Sequence, residues 1–175
     1  MQLKISHALL LALLSGNGAM AESFGTISAD HGGDSRDWFT IRIDTGNATG
    51  ASATFRAGKM LSNLHMQGHP KPSFTTKDVL SIDASFRSPY KPGAAPMIVE
   101  IILMPDGMSR PFWTSDQAPG PAEISFETLD LNSDPGRAVG TFSAVLCMVE
   151  ELYAEPDLDS CKPISGSFET NIALE

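Results

Sequence analysis

The chain has 175 residues, with 21 acidic against 12 basic side chains and a formal net charge of −9. That imbalance speaks against nucleic acid and anionic lipid as partners, because phosphate recognition needs a basic face. It suits a cationic protein or a metal ion, and it also serves simple solubility.

The first segment carries one charge, Lys4, before Glu22, then an apolar run from Ala8 to Leu14 and the small-x-small exit Ala19-Met20-Ala21. A basic end, an apolar centre and an Ala-x-Ala exit together predict a cleaved secretory signal over residues 1–21. The apolar run is too short for a permanent span, which needs about 20 residues. One domain, residues 22–175, is expected to remain. No cysteine precedes Cys147, so no lipid-bearing cysteine is expected at the new N-terminus. With no membrane anchor, the expected location is the periplasm or the exterior.

Along the domain, apolar and polar residues alternate in short stretches separated by turn formers, which predicts half-buried strands. Phe39, Ile41 and Ile43 would share one strand face. Residues Ala57 to Gln67 carry an ambiguous pattern that admits the one short helix of the chain. Leu80, Ile82, Ala84 and Phe86 alternate with Ser81, Asp83 and Ser85. Met97 to Met104 is apolar on both faces, as in a central strand covered on two sides. Proline clusters at Ser88–Gly93 and Gln117–Pro121 read as loops. Ile124 and Phe126 mark a further strand. Two echoing segments, Gly140-Thr141-Phe142 and Gly166-Ser167-Phe168, read as antiparallel neighbours. The pattern predicts an all-β domain, an antiparallel β-sandwich or alternatively a β-barrel.

The only cysteines, Cys147 and Cys161, lack the spacing of a redox or zinc pair. In an oxidising compartment they are expected to pair and close a loop of about 15 residues, worth about 3 kcal/mol in the chain-entropy account. The enclosed segment carries Glu150, Glu151, Glu155, Asp157 and Asp159, so a covalently closed acidic loop is predicted as a contact surface. Trp38 is expected in the core. Phe112 and Trp113, placed after Pro111 between two loops, are the expected exposed aromatic anchor.

Catalytic chemistry finds little support. Gly33-Asp34-Ser35 is similar to the nucleophile block of the GDS-type esterases, which implies a base in a C-terminal Asp-x-x-His block. No histidine follows His69 in this chain, and the α/β fold of that family does not fit the strand pattern. Asp30, His31, Asp34 and Asp37 surround Gly32-Gly33, a turn that offers oxygens to a divalent cation, without the residue order of a calcium loop. Met60, His65, Met66 and His69 are soft donors of the kind copper takes. As a strand, however, their segment sets His65 and His69 about 13 Å apart, with Met66 on the opposite face.

No cofactor is expected beyond such a cation. The reading that follows is a non-enzymatic binding or interaction module whose partner is a cationic protein or another envelope component. The alternatives are an envelope metal-binding protein and a hydrolase of unfamiliar type built on paired carboxylates.

Overall fold

The computed structural model describes residues 20–108 and 111–175; the predicted signal segment therefore lies outside the described residues up to position 19. The described chain is all-β, with eleven strands and no helix. The strands are β1 (Met20–His31), β2 (Asp34–Asp44), β3 (Thr49–Ala51), β4 (Ala53–Ala57), β5 (Leu61–Gly68), β6 (Val79–Arg87), β7 (Ile98–Met104), β8 (Phe112–Thr114), β9 (Glu123–Asp130), β10 (Gly136–Val149) and β11 (Asp157–Leu174). The ambiguous segment 57–67 is a hairpin: β4 ends at Ala57, a turn follows, and β5 starts at Leu61. Pairing on both sides, with β4 and β6, decides the conformation that the local pattern left open.

One half of the molecule runs β3-β2-β1-β11-β10-β9 and the other β4-β5-β6-β7-β8. Two corners join them. The end of β11 pairs in parallel with β4 through Ala173 and Leu174, and the end of β10 pairs with β8 through Cys147 to Val149. The hydrogen-bonded path β11-β4-β5-β6-β7-β8-β10 thus returns to β11, giving a sandwich with barrel-like closure. Closure leaves fewer open strand edges to recruit another chain.

Period two places the core. Ala138, Phe142 and Leu146 from β10, and Ile164, Phe168 and Ile172 from β11, meet Leu64, Met66, Ile82, Phe86 and Ile101 from the other half in one cluster. Each fully buried aromatic or branched side chain contributes about 1.5–3 kcal/mol. Phe86 touches Phe126, which touches Phe168, so aromatic contacts bridge the two halves. On β2 the expected inward face is corrected. Trp38 joins the main cluster and Thr40 is buried, hydrogen-bonded to Thr170 at 2.6 Å, whereas Phe39 and Ile43 are only half-buried. Ile41 is fully buried all the same, beneath the crossing chain at Ser52, which accepts its N–H. The doubly covered strand is β6, where Val79 to Ile82 are buried without a break; β7 begins exposed, with Ile98 at 58 %. Among the described residues no helix is long and apolar enough to cross a membrane.

Candidate functional site

The β1–β2 turn, β8 and the base of the β10–β11 loop meet at one end of the molecule, bringing together segments far apart in sequence. The turn is set by Gly32 and Gly33, whose φ angles of 62° and 99° form a two-residue hairpin that only glycine adopts without strain. It docks on the start of β11: the Gly32 N–H donates to the Pro163 carbonyl, and His31 lies opposite Ile164. The His31 ring packs edge-on against Trp113 at 4.9 Å, and the Lys162 ammonium sits 5.2 Å above that indole.

This hairpin register divides the residues predicted to share a cation. Asp30 and Asp37 lie on one face, where Asp30 accepts from the Gly33 N–H and the Ser35 hydroxyl and Asp37 accepts from the Ser28 hydroxyl. His31 and Asp34, opposite each other in the ladder, lie on the other face. Burial and then the charges of Lys162 and Arg36 push the His31 imidazole below its ordinary pKa, against the weaker pull of Asp34 and Asp30. Its Nε2 is buried and meets no partner among the described residues. Ser35, the nucleophile position of the esterase-like block, uses its hydroxyl to hold the turn.

Phe112 corrects the expectation of an exposed aromatic anchor. It is 6 % exposed and packs with Val79, Met104 and Val149 in a small second core. The reason is pairing: β8 lies between β7 and β10, with Phe112 opposite Val149, so Phe112 and Thr114 turn inward and Trp113 points the other way. Trp113 is half-buried beneath Lys162.

The disulfide Cys147–Cys161 is present, joining cross-strand neighbours of the β10–β11 ladder. Beyond it the chain leaves the sheet after Val149 and returns at Asp157. Glu150, Glu151, Glu155, Asp157 and Asp159 are all exposed. Hydrogen bonds from Ser160 and from the Asp159 N–H hold the Asp157 carboxyl below its usual range. The four ion pairs among the described residues are Arg36–Asp78, His65–Asp83, Lys77–Asp106 and Arg137–Glu169, so no loop carboxylate is paired. The same loop exposes Leu152 at 42 % and Tyr153 at 96 %, and the start of β11 exposes Leu158 at 58 %. These apolar residues escaped the sequence reading, although Leu152-Tyr153 in the middle of an acidic connection was a visible signal.

The soft-donor group is dispersed. Met66 is in the core, Met60 is exposed, His69 is fully buried and donates toward the Thr75 carbonyl, and His65 contacts Asp83 at 2.7 Å on the outer face. That contact raises the His65 pKa. It continues across the sheet, since Asp83 lies opposite Glu100. Burial, followed by Asp83 and Asp116, pushes the Glu100 carboxyl upward, and Glu100 and Asp116 line one groove. Among the described residues no group of three or more His, Cys, Asp or Glu is arranged to hold a metal ion. No protein-family model matches the chain, and no curated protein or solved structure matches it significantly.

Proposed function

We infer that this protein is a secreted binding module of the cell envelope, removed from its signal after Ala21, which grips a cationic protein with the β10–β11 loop. One observation carries the reading: five exposed carboxylates, none of them in an ion pair among the described residues, share a short segment with the exposed Leu152, Tyr153 and Leu158 on a hairpin clamped by Cys147–Cys161. Unpaired carboxylates steer a basic surface into encounter, and an exposed tyrosine with two leucines supplies the apolar centre that holds it. The clamp reduces the ordering cost of binding, because the base of the loop is already fixed. The disulfide also calls for an oxidising compartment, in agreement with the N-terminal segment.

The test is affinity capture from the native envelope with the wild-type protein and a variant carrying Glu150→Gln, Glu151→Gln, Glu155→Gln, Asp157→Asn and Asp159→Asn. The wild type should retain a basic protein at low salt and release it at high salt, and the variant should retain none. Equal capture by the two proteins would remove the loop from the account.

A further inference from the structure

The end of the molecule opposite the acidic loop has a different chemistry. There β4, β6, β9 and β11 all finish, and between their ends lies a cavity of about 370 Å³. Its floor is Phe55 and Tyr90, its walls are Leu129, Leu131 and Leu174, and its rim carries Glu175 and Asn132. The floor is firm: Tyr90 meets Phe55 at 5.4 Å and Phe86 at 5.1 Å, both edge-on, so it is the outer layer of the aromatic core. The volume falls within the range of small-molecule sites, which often occupy the mouths of closed strand arrays.

The rim is polar in one sense only. No lysine or arginine lines the cavity, and Glu175 supplies its one charged side chain. The Asn132 amide nitrogen and backbone N–H both donate to Asp130 Oδ1, at 2.8 and 3.0 Å, leaving its amide oxygen as an acceptor. A carboxylate, an amide oxygen and aromatic rings around an apolar hollow are the complement of an ammonium group on a hydrophobic body.

We propose that this cavity binds a small hydrophobic cation, an alkyl- or arylammonium compound whose apolar body lies on Phe55, Tyr90 and the three leucines and whose head group faces Glu175 and Asn132. A protein partner is disfavoured because the concavity is small and bounded by strand ends. The site is separate from the acidic loop, so the loop can be neutralised without touching it.

The experiment is calorimetric titration of the full chain with decylammonium below its micelle concentration, beside decanol and decanoate as neutral and anionic counterparts. The cation should saturate one site, decanol should bind more weakly and decanoate should not bind. Leu131→Trp, which fills the hollow, should weaken the cation by at least about tenfold. Glu175→Lys changes only an exposed side chain and gives a second reading if the tryptophan disturbs folding; it should weaken the cation severalfold and raise the affinity for decanoate above that of the wild type. The five loop substitutions should leave the titration unchanged. Absence of saturable cation binding, or binding indifferent to both Leu131→Trp and Glu175→Lys, would overturn the site. Equal affinity for cation and anion would overturn the head-group assignment.

Discussion

At position 69 an imidazole lies fully buried, with Nδ1 donating to the Thr75 carbonyl at 3.1 Å and Nε2 facing no partner among the described residues. Burial lowers its pKa, and the Thr75 contact opposes this more weakly. A second proton would place an unpaired charge inside the protein. The unfolded chain, with an ordinary histidine, then binds more protons than the folded one as pH falls below about 6.5. Stability is therefore expected to decline below that pH and to keep declining until the folded imidazole also titrates. His31, also lowered, acts in the same direction, while His65, raised by Asp83, acts in the opposite one. Urea unfolding at a series of pH values should show a shallower acid loss in His69→Asn than in the wild type, and equal slopes would refute this role for His69. In sequence this residue resembled a metal donor because His65, Met66 and His69 stand close together. Its actual setting depends on β2, whose Phe39 pairs with His69, a contact no local pattern shows.

The element that explains most is the β10–β11 ladder. Gly140 lies opposite Phe168 and Gly166 opposite Phe142, so each phenyl ring has a strand neighbour without a side chain. A Cβ on Gly140 would stand 2.8 Å from the Phe168 ring and collide with the Ser125 carbonyl. Gly140→Ala should cost about 1–3 kcal/mol, measured by chemical unfolding; a neutral substitution would mean the ladder shifts freely there. The same hairpin holds the disulfide, and replacing Cys147 and Cys161 together by alanine should cost about 3 kcal/mol in the same assay. Loss of less than about 1 kcal/mol would show that the strand pairing already restrains the loop. The echoing Gly-x-Phe segments made this hairpin legible, because period two and a small residue facing a large one are local signals. The inward face of β2 was not legible, since Phe39, Ile41 and Ile43 make the more apolar phase, whereas Trp38 and Thr40 turn inward to distant partners such as Thr170. Phe112 failed for a related reason: two neighbouring strands bury it, and flanking proline and loop residues do not report them.

At the scale of the whole molecule, closure gives the protein two unlike ends. The all-β class was legible because every buried strand alternates or runs apolar, but the circuit was not. It is completed by β11 with β4 and by β10 with β8, contacts between distant residues only two or three positions long. That closure gathers Trp113, the Gly32-Gly33 turn and the acidic loop at one end and leaves the aromatic-floored cavity at the other. The acidic loop itself was readable, since both cysteines and all five carboxylates lie within one short segment; its exposed Leu152, Tyr153 and Leu158 complete the surface proposed for a basic partner. The most direct test places a photoreactive benzoylphenylalanine at Tyr153 and, in a separate protein, at Asn132 in the opposite end, followed by irradiation in intact envelopes. A discrete adduct with a basic protein is expected from position 153, absent from position 132 and lost when the loop carboxylates are neutralised. No adduct from position 153, or the same adduct from both positions, would contradict a partner surface on the acidic loop.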